Sequence, residues 1–313
     1  MSACTQTEFL PTDSRTLFLT HRLARETARF GPFPQKRGPS RFRLGAFAHL
    51  GVTWLGLAQM GRRNALDLRY RKFKVYFNNL PSAFDGFRLL HLTDLHLDGL
   101  PEMAEKLADQ VNRVAYDQCV ITGDFCFGMP GTGFCAYSIL AHFFSLLRPA
   151  RQIFVTLGNH DSARDVPFLE SLGLRVLLNE STPIEKDNQH VWVCGVDDPH
   201  GLDTHDLESA IAHIPQDDFK ILLAHAPEIA QEATLAGIDF YLCGHTHGGQ
   251  ICLPWVGPLV KKSRCRRNQI AGIWQEGSMQ GYTSSGVGAS SVAARFFCPP
   301  EFTLVELNRQ KRL

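Results

Sequence analysis

Asp, His and Asn side chains that could hold a metal recur along the chain in short groups, each following an apolar run. Phe87-Arg-Leu-Leu-His-Leu-Thr leads to Asp94 and His96, and Cys119-Val-Ile-Thr-Gly leads to Asp124. Phe154-Val-Thr-Leu-Gly leads to Asn159, His160 and Asp161; Lys220-Ile-Leu-Leu-Ala leads to His225; Phe240-Tyr-Leu-Cys-Gly leads to His245 and His247. Mixed imidazole and carboxylate donors suit Mn, Fe or Zn better than Ca or Mg. Asp94, His96, Asp124, Asn159, His225, His245 and His247 are more candidate ligands than one tetrahedral ion needs. A carboxylate shared between two divalent transition metal ions accounts for the excess, and two ions about 3.5–4 Å apart can clamp a phosphoryl group for in-line attack. Each residue alone reads equally well as a cap or a turn; five groups in order, each ending an apolar run, do not. His21, His142, His190, His200, His205 and His213 fall on irregular or exposed-looking stretches and are set aside.

The elements that must position these groups follow from the pattern. Strands are expected at Phe73–Phe77, Phe87–Leu92, Gln118–Thr122, Gln152–Leu157, Val191–Val196, Lys220–Ala224, Phe240–Cys243 and Phe302–Leu307. Helices are expected at Pro101–Val114, Cys135–Leu147, Ala163–Leu172, Thr204–His213 and Glu228–Ala236. Alternation of short apolar strands with helices is an α/β pattern. In such sheets the site lies outside the carboxyl ends of the strands. Gly123, Gly158 and Gly244 precede the key residues and let the backbone turn there.

Asp94-Leu-His96, Gly123-Asp124, Gly158-Asn159-His160-Asp161, His225 and Gly244-His245-Thr246-His247 together resemble the five motifs of the calcineurin-like metallophosphoesterases, over about Phe73 to Leu307. The resemblance implies an α/β fold of four layers, an αββα sandwich. It implies that Asp94, His96, Asp124 and His247 hold one metal and that Asp124, Asn159, His225 and His245 hold the other, with Asp124 bridging. It also implies that His160 contacts the phosphate and protonates the leaving oxygen, with Asp161 orienting its imidazole. Phe125-Cys-Phe departs from the pattern, since many members carry a further polar or acidic residue there. The context Gly244-His-Thr-His-Gly-Gly-Gln-Ile-Cys-Leu-Pro254, with Gly286-Val-Gly288 and Pro300-Glu-Phe-Thr-Leu-Val-Glu-Leu307, is similar to a bacterial, membrane-associated branch. That branch includes a UDP-2,3-diacylglucosamine pyrophosphatase of lipid A synthesis.

The whole chain has 313 residues, 32 basic and 31 acidic, and is 44% apolar, which excludes a disordered chain or a small disulfide scaffold. The near-neutral total conceals an asymmetry. Residues up to Lys74 carry fourteen Lys/Arg and four Asp/Glu, a balance of +10, against 18 and 27, or −9, in the remainder. Such a division points to an anionic partner for the N-terminal part. Thr12 to Gly31 reads as an amphipathic helix with Leu19, Leu23 and Phe30 on one stripe and Arg15, Arg22, Arg25 and Arg29 on the next. Leu44 to Met60 is a 17-residue apolar segment flanked by arginines. At 1.5 Å per residue it reaches roughly 25 Å, short of a ~30 Å hydrocarbon core. A helix lying in the membrane interface is favoured over one packed on the body or a true span. The expected organisation is therefore a basic helical extension over 1–72 and a catalytic domain over 73–313.

The basic run Lys261, Lys262, Arg264, Arg266 and Arg267 follows the His247 loop and is a candidate for binding diphosphate or anionic headgroups. Nine scattered cysteines with no CxxC fit a reducing compartment. The expected partners are a phosphorylated, lipid-linked substrate and an anionic membrane surface, at the cytoplasmic side of the membrane. Nucleic acid is not expected, because the apolar segment argues for a bilayer rather than for a nuclease. A broad-specificity phosphodiesterase or phosphomonoesterase and a non-catalytic metal-bearing membrane scaffold are the alternatives.

Overall fold

The computed structural model describes residues 12–31, 56–128, 137–259, 261 and 263–310. Most of the 44–60 apolar segment and Lys262 lie outside these residues. Among the described residues no helix is long and apolar enough to cross a membrane.

Two six-stranded sheets stack face to face. The first has the order β1 (Arg69–Phe77), β14 (Glu301–Arg309), β2 (Phe87–Leu92), β3 (Gln118–Thr122), β4 (Phe154–Thr156), β5 (Arg175–Val176). Its strands are parallel except where β14 runs antiparallel to β2. The second has the order β12 (Gly272–Glu276), β13 (Met279–Thr283), β9 (Phe240–Cys243), β8 (Lys220–Leu223), β7 (Gln189–Gly195), β6 (Glu180–Lys186). Its centre is parallel and its two edge pairs are antiparallel.

The two-residue period of a strand explains the layers. In β2, Leu89 faces the second sheet while Leu90 and Leu92 face the outer helices. In β8, Ile221 and Leu223 face inward while Leu222 faces outward. Between the sheets lie Val75, Phe77, Val120, Val191, Val193, Phe240, Leu242 and Val305. On the outer face of the first sheet, α3 (Glu102–Asn112) buries Met103, Leu107 and Val111, and α4 (Tyr137–Leu146) buries Leu140 and Phe143. On the outer face of the second, α5 (Leu207–Ile211) and α6 (Ala230–Leu235) contribute Leu207, Ala210, Ala230 and Ala233. The result is the expected four-layer αββα sandwich. Of the strands in these two sheets, β5, β6, β12 and β13 were not expected from the sequence.

The N-terminal helix, α1 (Thr12–Phe30), departs from its expected use. Its arginine stripe faces the acidic body of the same chain. Arg15 pairs with Glu170 and Glu180, Arg22 with Glu26 and Asp197, and Arg25 lies 3.8 Å from Asp203. Arg29 donates to the Gly201 carbonyl. Much of the +10 N-terminal charge thus meets the −9 body internally. The apolar segment ends in α2 (Ala58–Ala65), which packs Gly61 against Ala294 and Phe296.

Candidate metal centre

Candidate ligands leave the carboxyl ends of strands from both sheets: β2, β3 and β4 from one, β8 and β9 from the other. The turns there are sharp. Asp94, His96, Asp124, His245 and His247 all have φ between 41° and 68°. Left-handed backbone at non-glycine residues costs of order 1–3 kcal/mol each and concentrates at functional sites. Close approach also fixes one glycine. A Cβ on Gly158 would collide with the Asp124 carboxylate and lie 2.8 Å from His225 Nδ1.

The side chains converge. Asp94 Oδ1 lies 3.3 Å from His247 Nε2 and 3.9 Å from His96 Nε2. Asp124 Oδ2 lies 3.1 Å from His225 Nε2, 3.6 Å from His96 Nε2 and 4.0 Å from His160 Nε2. His245 Nδ1 is 3.2 Å from His225 Nε2. Two groups result, Asp94 with His96 and His247, and Asp124 with His225 and His245; in each, the ligand atoms lie within 4.8 Å of one another. A third group, His96 with Asp124 and His160, joins them.

Backbone carbonyls set the imidazoles. His96 Nδ1 donates to Cys126 O (2.6 Å), His225 Nδ1 to Thr122 O (2.7 Å) and His160 Nδ1 to Phe127 O (2.9 Å). Each bond leaves Nε2 pointing into the cluster, as a metal-binding imidazole requires. Asp94 Oδ1 and Asn159 Oδ1 are buried and have no hydrogen-bond partner. Buried acceptors without a donor are costly, and a cation held at each of the two ligand groups would remove the cost. The donor set therefore fits divalent transition metals.

Electrostatics agree. Burial, with Asp124 adding, pushes the Asp94 carboxyl up to about 6 despite His225. At Asp124, burial acts upward but is outweighed by His225 and His160, so its carboxyl sits well below the usual range. At His225, burial acts downward but Asp124 and Asp94 outweigh it, lifting the imidazole to about 10. Burial takes His96 down to about 3. The Asp124 carboxylate and the His225 imidazole thus hold one another in the charged form.

One expected role is corrected. Asp161 does not orient the His160 ring. Its carboxylate accepts three backbone N–H groups, from Asp124 and Gly158 (both 2.7 Å) and Phe125 (2.9 Å). It fastens the β3 and β4 loops together, and the His160 ring is held by Phe127 O instead.

The basic run divides. Lys261 Nζ donates to Cys265 O, Arg266 pairs with Glu276, and Arg267 donates to Val256 O. Among the described residues of the run, Arg264 is the one tied beside the cluster: its backbone N–H reaches Glu228 and its guanidinium reaches Pro199 O.

Three residues were not anticipated. Arg22, 1% exposed, donates to Gly158 O (2.8 Å) and Asp161 O (2.7 Å) as well as pairing with Asp197. With Glu26, which accepts from Ser162 Oγ and Ala163 N, it clamps the loop carrying Asn159 and His160. Arg295, fully buried, donates to Ser285, Gly286 and Gly288 carbonyls and lies 3.4 Å from His247 Nδ1. His200, set aside above, is held by Glu228 (2.6 Å), its ring centroid 4.0 Å from that of His245. No local sequence signal marks Arg22 beyond its place in a basic stripe. An isolated arginine in Ala-Ala-Arg295-Phe-Phe is a signal, since a charge amid apolar residues needs buried acceptors.

The sequence profile described as "Calcineurin-like phosphoesterase" matches residues 87–249. The chain is 30% identical over 239 residues to "Uncharacterized metallophosphoesterase YkuE" of Bacillus subtilis, covering 73% of this chain and 81% of that protein. It is 28% identical over 253 residues to "Uncharacterized metallophosphoesterase YkoQ" of the same organism, covering 78% and 92%. It is 29% identical over 231 residues to "Phosphodiesterase YaeI" of Escherichia coli, covering 71% and 82%.

Proposed function

The chain belongs to the calcineurin-like phosphoesterase family and is a metal-dependent phosphoester hydrolase, and from that premise we propose that it cleaves phosphodiesters or diphosphates carried on a lipid. UDP-2,3-diacylglucosamine is the named candidate, on the strength of the sequence context around Gly244–Pro254. The observation that carries the reaction is that Asp124 stands between two ligand groups with His160 at their edge. The relative named a phosphodiesterase supports a diester over a monoester.

Asp94, His96, Asp124 and His247 would hold one divalent ion, and Asp124, Asn159, His225 and His245 the other. When bound, such ions polarise a phosphoryl oxygen and make water a better nucleophile. The chain's own residues do the rest. Asp124 fixes His160 by accepting its backbone N–H at 2.8 Å, and Phe127 O fixes its ring. His160 Nε2 then faces the cluster from a partly open position, placed to give a proton to the leaving oxygen. His200, braced by Glu228, walls the His245 side.

The metal-loaded protein, tested with Mn²⁺, Fe²⁺ and Zn²⁺ in detergent, should release UMP from UDP-2,3-diacylglucosamine and prefer bis- over mono-p-nitrophenyl phosphate. Diester turnover without UMP release rejects the lipid-linked candidate and leaves a broad phosphodiesterase. Absence of turnover on every substrate rejects the reaction.

A further inference from the structure

Past the metal loop the chain turns through a short hairpin, β10 (Cys252–Leu253) and β11 (Gly257–Pro258), that carries its apolar side chains outward. Leu253, Trp255, Val256 and Leu259 are exposed, Trp255 completely, and so is the neighbouring Phe297. Exposed apolar residues scattered singly need no explanation; a contiguous group marks an interaction surface.

Three segments meet at this corner. Ile251 bridges to Phe296 and Cys252 N–H donates to Phe296 O. Arg295 N–H donates to Gly61 O in α2, and Leu57 and Ile251 pack on the buried cluster of Val292, Ala294 and Phe296. Met60 of α2 is exposed here as well. None of the three segments, 41–66, 250–272 and 284–300, contains an Asp or Glu. Lys261, Arg264 and Arg267 hydrogen-bond to carbonyls, which do not neutralise their charge. On the same segments Arg62 pairs with Glu102 and Arg266 with Glu276, and Glu228 accepts from Ser263 Oγ and the Arg264 N–H. Helix α2, which ends the apolar stretch, packs at this apolar corner.

The corner is also the rim of the metal centre. Cys252 Sγ donates to Gly248 O (3.3 Å) and Cys298 Sγ to His247 O (3.2 Å), so the hairpin root is seated on the loop of a candidate ligand.

We propose that hairpin β10–β11, with Phe297 and the end of the 44–60 segment, docks into an anionic lipid surface and turns the metal centre toward the bilayer. A tryptophan at the tip, aliphatic neighbours and the cations of Lys261, Arg264 and Arg267, held by carbonyls, match the headgroup boundary, where indole rings reside and basic residues meet anionic lipid. A protein partner would have to cover the same cations with acids; a lipid surface supplies the apolar and anionic layers together. The consequence for catalysis rests on the lipid-linked reading above: substrate is taken from the membrane without leaving it.

The test uses the full metal-loaded chain and its Trp255→Ser/Val256→Ser/Leu259→Ser variant. Co-sedimentation is measured with phosphatidylcholine vesicles, with and without 30% phosphatidylglycerol, at low and high salt. The parent should bind the anionic vesicles, more weakly at high salt, and the variant should lose at least tenfold in partitioning while hydrolysing soluble bis-p-nitrophenyl phosphate at the parental rate. Equal binding by parent and variant, or no binding by the parent, overturns the proposal. So does a parental dimer that the substitutions convert to a monomer, which would assign the surface to a second copy. Vesicle binding is read without substrate and UMP release without vesicles, so the two proposals fail independently.

Discussion

Replacing Arg22 by methionine tests whether α1 holds the catalytic loop. The guanidinium is buried, pairs with Glu26 and Asp197, and donates to the carbonyls of Gly158 and Asp161, on either side of Asn159 and His160. Methionine fills much of the volume but removes every donor. Breaking a buried ion pair from one side costs about 3–5 kcal/mol, because the partner carboxylate remains buried without its cation. The two orphaned carbonyls add to this, at roughly 1–3 kcal/mol each when no water reaches them. A loss of at least about 3–5 kcal/mol is therefore expected. With a urea slope near 3 kcal/mol/M the unfolding midpoint falls by roughly 1–2 M. Arg25→Ala is the control. Arg25 is half exposed and stands 3.8 Å from Asp203, a pair of the kind worth about 0–1 kcal/mol. Urea unfolding of the parent and both variants is followed by circular dichroism, with turnover of bis-p-nitrophenyl phosphate measured alongside. If Arg22→Met unfolds within 1 kcal/mol of the parent, or no more easily than Arg25→Ala, the buried clamp does not exist as described.

Three further outcomes follow from the site. His160→Ala should lower kcat by about 10²–10⁴-fold with metal content unchanged by elemental analysis; a parallel loss of metal would make His160 a ligand instead. Asp161→Asn leaves one carbonyl oxygen for three backbone donors and should destabilise by about 3 kcal/mol, at about 1.5–3 kcal/mol per hydrogen bond to a charged group; a shifted pH–rate profile at parental stability would restore the His160-orienting role. His225, lifted to about 10 while metal-free, is protonated at neutral pH. Metal uptake must displace that proton, so affinity should fall as pH falls below 10, by about tenfold per unit for one proton. Calorimetry in buffers of different ionisation enthalpy should show at least one proton released per chain, and a buffer-independent heat would contradict this.

The site strands were legible because each is an apolar run stopped by a polar residue or glycine, and β2, β3 and β9 run over the expected residues. The edge strands were not. β6 reads Glu-Ser-Thr-Pro-Ile-Glu-Lys, with Pro183 tolerated only because the strand lies at a sheet edge. β12 and β13 mix apolar residues with Gly and Gln and lack a clear apolar run; β13 gains its pairing from β9, and β12 from β13. The amphipathic character of α1 was readable, but its partner was not: Glu170, Glu180, Asp197 and Asp203 are scattered in sequence and form one acidic face only after folding. His200 and Glu228 share that history. Asp161 illustrates the opposite error: the family resemblance implies a contact with the His160 ring, which the structure replaces with three backbone bonds to the Asp161 carboxylate.

The decisive measurement counts bound ions and turnover together in the parent and in Asp124→Asn. Asp124 is the carboxylate between the two ligand groups, so the parent should carry two divalent ions per chain and hydrolyse diester, and the variant should lose both metal and activity with the fold retained by circular dichroism. A parent that turns over with a single ion, or an Asp124→Asn protein that hydrolyses diester at the parental rate, would contradict it.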